Sequence, residues 1–182
     1  CSIRTSFNNQ FNETFLNDPL YPGLKHKRIV GKEYDNFIEA FVVAINEVFP
    51  KICIQWEDFK GVDAIRILNK FKDKVCTYND DIQGTAAIAT AGFISISRLM
   101  GKPFTDQKFL FFGAGAAAFG IADLLVQKFQ KDGLSREEAL EHIWMFDVNG
   151  LLVQSRTDLA DYQQQFAHQG NPTNDLETAI LQ

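Results

Sequence analysis

The sequence predicts an α/β protein: a Rossmann-like, doubly wound unit over residues 81–182, preceded by part of another α/β domain over residues 1–80. Three observations carry that prediction. Short apolar runs alternate with helical periodicities along the chain. The run Phe109-Leu110-Phe111-Phe112 is uniformly apolar, as strands of a parallel sheet tend to be. Gly113 and Gly115 follow that run directly and stand before an amphipathic stretch.

The first twenty residues are polar, with Asn and Phe interspersed, and are expected to be loop-rich, with turns at Pro19, Pro22 and Gly23. From Lys32 to Phe49 the residues Tyr34, Phe37, Ile38, Phe41, Val42, Ile45 and Val48 recur at helical spacing, and Pro50 ends the helix. Ile52 to Trp56 reads as a strand. Asp63 to Phe71 reads as a helix with Ala64, Ile67, Leu68 and Phe71 on one face, and Lys74 to Tyr78 as a second strand. Thr85 to Met100 carries no charge before Arg98, which predicts a largely buried helix, stopped by Gly101 and Pro103. After the FLFF strand a helix is expected from about Ala117 to Lys131, with Gly133 as its stop. Ser135 and Glu138 have the spacing of a capping box. Ile143 to Phe146 is the next strand, ending at Asp147 before a turn at Asn149-Gly150. The tail from about Asp158 is polar, with a last helical run near Asp175 to Leu181.

At 182 residues and 46% hydrophobic composition, the chain is long enough for one ordinary domain or two small lobes with a real core. A net charge of -5 without a Lys/Arg-dense block argues against a nucleic-acid surface. No apolar run approaches the ~20 residues of a membrane span, and the opening CSIRTSFNNQ has no signal-peptide core. Cys1, Cys53 and Cys76 form an odd set without CxxC spacing. Cys53 and Cys76 lie in apolar runs and are expected to be small buried hydrophobes in a reducing compartment rather than a disulfide. The expected location is cytoplasmic, or the mitochondrial matrix in a eukaryote.

A strand, then GAGAAAFG, then a helix is the context in which glycines cradle phosphate. Gly113 permits the tight turn, and Gly115 lets a pyrophosphate approach the backbone and the helix N-terminus. Ala118 takes the small third position, and Gly120 is offset from it. Asp147 ends the next apolar strand, where an acid bonds a ribose hydroxyl, although it follows Gly113 by 34 residues rather than the usual ~20. The segment from Gly133 to His142 accounts for the extra length. An acid at this strand end favours NAD over NADP. The competing reading leaves the glycines to helix–strand packing and Asp147 to solvent.

Two carboxylate pairs stand at strand ends, Glu57-Asp58 and Asp80-Asp81. In an open α/β sheet ligands gather there. Four carboxylates brought together resist ionisation without a cation, and an all-oxygen set suits Mg²⁺ or Mn²⁺ rather than Zn²⁺. Each pair alone is most simply a helix cap. Together with a nucleotide loop downstream, a metal beside the nicotinamide is the better reading.

At these residues the chain resembles malic enzymes. The resemblance runs through DPLYPGLKHKRIVGKEYDNFIEAF at Asp18 to Phe41, WEDF at Trp56 to Phe59 and CTYNDDIQGTAA at Cys76 to Ala87. It continues through FFGAGAAAFGIA at Phe111 to Ala122 and IWMFDVNGLLV at Ile143 to Val153. It implies oxidative decarboxylation of L-malate to pyruvate and CO₂ with NAD(P) and a divalent metal; Asp147 and Gln163 lean towards NAD, NADP being the less favoured acceptor, and the all-oxygen set towards Mg²⁺ or Mn²⁺. Residues 1–80 then correspond to the C-terminal part of a malate- and metal-binding domain, and 81–182 to an incomplete NAD-binding domain. The implied metal ligands are Glu57, Asp58 and Asp81. Asp80 is implied to orient a catalytic lysine, and Thr85 to lie near the nicotinamide. Gly113, Ala114, Gly115, Ala116 and Ala118 are implied to hold the pyrophosphate, and Asp147 the adenosine ribose.

Family members are much longer. Their tyrosine acid, lysine base and a malate-binding arginine lie upstream of the matching stretch, and asparagine-bearing substrate motifs lie downstream. The resemblance therefore implies an internal fragment that binds dinucleotide without turning malate over. Ala116 replaces an acid common in relatives, Gly61 an occasional asparagine, and Gln163 a lysine typical of NADP users. The family also implies a homo-oligomer, dimer or tetramer. Two other functions remain open: malolactic chemistry giving lactate, and a non-catalytic dinucleotide-binding or interaction module.

Overall fold

The computed structural model describes residues 2–3, 13–22 and 29–181. The chain divides into two compact units, Cys1–Asn79 and Asp80–Gln182.

The first unit is built on a three-stranded parallel sheet, β1 (Ser2–Ile3), β2 (Ile54–Trp56) and β3 (Thr77–Asn79), in that order. Its helices are α1 (Glu13–Asn17), α2 (Gly31–Val48) and α3 (Gly61–Phe71). The helical spacing of α2 buries Ile38 and Val42, while α3 buries all four residues expected on its inner face, Ala64, Ile67, Leu68 and Phe71. Trp56 anchors the core. It is fully buried, edge-on to Phe59 at 5.6 Å and stacked on Phe71 at 6.3 Å. Burial of an aromatic of this size contributes more than any ion pair on the unit's surface. Arg66 bridges α3 to Asp35 of α2 and also reaches Asp63.

Two expectations are corrected here. The polar N-terminal segment lies mostly outside the described residues, as do Gly23 and Cys1; its described parts add a strand and a helix to the expected turn at Pro19, which Tyr21 N closes by donating to Asp18 O at 3.1 Å. Cys53 and Cys76 are exposed, not buried. The alternation of a strand places Ile54 and Trp56 inward and the flanking positions outward.

The second unit opens with a π-helical turn at Asp80–Gly84 that runs directly into α4 (Thr85–Met100). Then come a 3₁₀ turn at Phe104–Asp106, β4 (Phe109–Phe112), α5 (Ala116–Lys131), α6 (Arg136–Glu141), β5 (Ile143–Asp147) and β6 (Gly150–Leu151). Last are α7 (Asp161–Gln164) and α8 (Leu176–Leu181). β4 and β5 pair in parallel, Phe109 opposite Ile143 through Phe112 opposite Phe146, and β6 returns antiparallel. Phe104, Leu125, Val126, Phe129, Ile143, Met145 and Phe166 form the core. Gly133 ends α5 at φ 107°, with Leu134 N donating to Phe129 O at 3.1 Å. The capping box of α6 forms with both reciprocal bonds, Glu138 N to Ser135 Oγ at 3.1 Å and Ser135 N to Glu138 Oε2 at 2.8 Å.

α4 departs from expectation. It buries Ala86, Thr90 and Ser97, yet Ile88 and Leu99 are 79% and 87% exposed. Uniform apolarity marks no inner face: Ala86, Thr90 and Ser97 are buried, and Phe93 and Ile94 pack against the core that holds α5. No helix among the described residues is long and apolar enough to cross a membrane.

Candidate functional site

The glycine loop and Asp147 leave the sheet side by side. Phe112 and Phe146 are register partners, and Gly113 N donates to Phe146 O at 2.7 Å. The carboxyl ends of two neighbouring parallel strands therefore deliver the loop and the acid to one edge. Gly113 has φ 130°, a backbone conformation that side chains rarely adopt. Gly115 is the N-cap of α5 and, as a glycine, gives the helix's first N–H groups no side-chain cap. Those donors stand uncapped at the positive end of a 16-residue helix. A Cβ built on Gly115 meets nothing within 4 Å, so the space in front of the loop is open. These features fit a dinucleotide pyrophosphate.

The loop is held from behind by α7. Gln163 Nε2 donates to Ala114 O at 2.9 Å, and the Tyr162 hydroxyl to the same oxygen at 3.4 Å. Tyr162 lies edge-on to Phe119 of α5 at 5.5 Å. Its phenol is pushed up by burial and by the charge of Asp147. Ala114 and Ala116 are buried, while Thr85 and Gly115 are exposed.

Asp147 does not stand alone. Arg156 donates Nη1 to Asp147 Oδ1 and Nη2 to Oδ2, both at 2.9 Å. Oδ1 also accepts from Asn149 N at 2.8 Å. Arg156 turns its Nε and Nη2 to Asp158 at 2.9 and 2.6 Å. The guanidinium is held well above its ordinary range by these two carboxylates, and Asp158 is driven well below its own by Arg156 and Asn149. A carboxylate offers about four lone-pair sites. Two at Oδ1 and one at Oδ2 are engaged by these bonds, which leaves Oδ2 able to accept one more donor.

The acid pairs are divided between the units. Glu57 and Asp58 follow β2 in the first, and Asp80 and Asp81 open the second. Gln55 Nε2 donates to Glu57 Oε2 at 3.2 Å. Asp58 has φ 62°, the one positive value at a non-glycine among the described residues, and such strain concentrates at functional sites. Asp80 and Asp81 occupy the π-helical turn, a geometry also enriched at such sites. Asp80 Oδ1 fills the space that a side chain at position 84 would take, which explains Gly84. Asp80 is thus turned back on its own helix turn. Among the described residues no three His, Cys, Asp or Glu side chains gather into a metal-sized set. The all-oxygen donors present suit a hard divalent cation by type.

Sequence reasoning missed Arg156, Tyr162 and the α7 support of the loop. Its one signal for Arg156 was a basic residue two positions before an acid, shortly after a hairpin.

Two family models match this chain: "Malic enzyme, N-terminal domain" over residues 3–72 and "Malic enzyme, NAD binding domain" over residues 82–182. The NADP-dependent malic enzyme of Columba livia is 46% identical over 170 residues, 93% of this chain and 30% of that protein. The human mitochondrial NADP-dependent malic enzyme is 44% identical over the same length, 28% of its own. The chain thus spans about 30% of the length of the curated relatives it matches. Among solved structures, an NAD-dependent malic enzyme from Thermotoga maritima aligns with a TM-score of 0.61 at 25% identity, over 84% of this chain and 40% of that one. A malic enzyme from Entamoeba histolytica aligns with a TM-score of 0.59 at 25% identity, over 79% of this chain and 28% of that one.

Proposed function

The chain belongs to the malic enzyme family, and we propose on that premise that it forms the dinucleotide cradle and metal-ligating strand ends of an enzyme that oxidatively decarboxylates L-malate to pyruvate. The observation that carries this reading is the shared edge of β4 and β5, where an uncapped helix N-terminus stands beside an acid with an acceptor site left. A bound nicotinamide would supply a hydride acceptor and a bound divalent cation would supply Lewis-acid chemistry. The N–H groups opening α5 hold the pyrophosphate, and Asp147 Oδ2 accepts from the adenosine ribose. Glu57, Asp58 and Asp81 are the proposed cation ligands. Thr85, exposed at the first turn of α4, is placed toward the nicotinamide in this reading, and Asp80 positions the base.

NAD is the proposed acceptor, although several similar relatives are named NADP-dependent. At the ribose position one guanidinium is shared by two carboxylates, so Arg156, Asp147 and Asp158 together carry a net negative charge. A 2′-phosphate meets repulsion there. Gln163, at the back of the loop, adds no cation.

Titrating the chain separately with NAD and NADP tests the cradle. Tighter NAD binding is expected, and binding of neither dinucleotide overturns the reading. In the whole enzyme carrying this segment, Asp81→Ala is expected to abolish Mn²⁺-dependent malate oxidation with the fold intact. Unchanged Mn²⁺ affinity in that variant removes Asp81 from the ligand set.

A further inference from the structure

The exposed thiols of the first unit are neighbours. The parallel register pairs Ile54 with Thr77, so the preceding residues, Cys53 and Cys76, face one another across β2 and β3. Ile54 N donates to Cys76 O at 3.0 Å, which ties the backbones together at this point. Adjacent strands run about 4.8 Å apart, inside the roughly 4.4–6.8 Å Cα window that a disulfide spans. Paired positions on neighbouring strands project to the same face. Here that face is the outer one, because Ile54 and Trp56 occupy the buried face and both cysteines are exposed. Neither thiol is engaged in a disulfide, and Cys76 is close enough to Cys53 to raise its thiol.

We propose that Cys53 and Cys76 are a dithiol modification site that closes to an intramolecular disulfide on reaction with a low-molecular-weight disulfide. One cysteine thiolate attacks a sulfur of the small disulfide and expels one thiol, leaving a mixed disulfide. The second cysteine, as thiolate, attacks the protein sulfur of that bond and expels the other thiol. Two S–H bonds are lost from the protein, one S–S bond forms, and the small disulfide is reduced to two thiols.

A metal is the weaker occupant of this pair. Two thiols fall short of the four ligands of a structural zinc site, and no third His, Cys, Asp or Glu joins them among the described residues. Partial desolvation and the neighbouring Cys76 raise the Cys53 thiol, exposed as it is, so closure is faster at higher pH. The pair stands just before β2 and β3, on the outward face that also carries Gln55, the donor to Glu57 beyond the far end of β2. A bond there pins the two strands at the end opposite that carboxylate. None of this depends on the malate reading.

The test incubates the chain with oxidised glutathione in native buffer, then maps thiols and linkages by intact mass and proteolysis, with the same map repeated in guanidinium. In native buffer two of the three thiols are expected to disappear, with a mass loss of two hydrogens. The expected product is one peptide pair joined through Cys53 and Cys76, reopened by dithiothreitol. Cys53→Ser is expected to hold Cys76 as a glutathione adduct instead. In guanidinium the selectivity for this pair is expected to vanish. Stable double glutathionylation, a link to Cys1, or equal scatter among the three thiols in native buffer overturns the proposal.

Discussion

Arg156 grips Asp147 through two parallel bonds of 2.9 Å, one to each carboxylate oxygen, and is itself only 9% exposed at the side chain. Such a fork fixes the carboxylate plane. Arg156→Ala is expected to destabilise the second unit by about 2 kcal/mol, since it leaves a half-buried carboxylate without its partner, and to weaken NAD binding with it. Arg156→Lys restores charge without the fork and recovers only part of either loss. Urea unfolding and NAD titration of the three proteins check both effects.

Gly120 and Gly115 predict opposite outcomes for the same substitution. A Cβ at Gly120 falls 2.8 Å from Ile82 Cγ2 and closer still to its carbonyl oxygen, so α5 must shift. Gly120→Ala is expected to cost roughly 1–3 kcal/mol. Gly115 has room and an ordinary φ of -88°, so Gly115→Ala leaves the melting temperature unchanged or slightly raised. It puts a methyl where the pyrophosphate approaches, and NAD affinity is expected to fall about tenfold. A thermal melt beside a binding curve separates the two variants.

Asp158 supplies an acid-sensitive term. Its carboxyl lies well below the ordinary 3.8 because Arg156 and Asn149 bond the charged form. A depressed folded-state value means that the stabilisation is complete above the unfolded value and is lost as pH falls below it. The urea midpoint is therefore expected to drop as pH falls below about 4, and Asp158→Asn to flatten that drop. An identical acid limb in the variant refutes the assignment.

The capping box of α6 gives a local test. Ser135→Ala removes the acceptor of Glu138 N and is expected to cost about 1 kcal/mol. Glu138 lies below its ordinary value because Ser135 bonds it from backbone and side chain. The same substitution should therefore raise the Glu138 titration midpoint, which carboxyl NMR reads directly.

These features differ in how far the sequence discloses them, and the reason is range. The strand Phe109–Phe112 and the Ser135–Glu138 box are written in adjacent residues, and their bounds match the structure. The glycine loop is equally local, because strand, glycines and helix occur in one run. The α4 surface is not legible: with no polar stripe, nothing in Thr85–Met100 says which side turns inward, and Ala86, Thr90, Phe93 and Ile94 rather than Ile88 or Leu99 turn inward. The Asp147–Arg156 fork joins residues across a hairpin, and neither residue type is unusual in a loop. The thiol pair needs the β2–β3 register, which is tertiary information; in sequence each cysteine is one apolar letter among others. The π-helical turn has no residue signature beyond Gly84, whose need appears only once Asp80 is seen lying over it.

The contact of Gly120 with Ile82 has a metrical consequence. Gly120 lies five residues beyond the Gly115 cap, so at ~1.5 Å rise per residue the Asp80–Gly84 turn is seated about 7 Å along the α5 axis from that cap. A helix is a stiff spacer, and the offset between the turn that carries the two aspartates and the N-terminus of α5 is therefore a fixed length of backbone rather than the average of a loop. A side chain inserted at position 120 forces that turn off α5, whereas substitutions on the outer face of α5 leave the seating untouched.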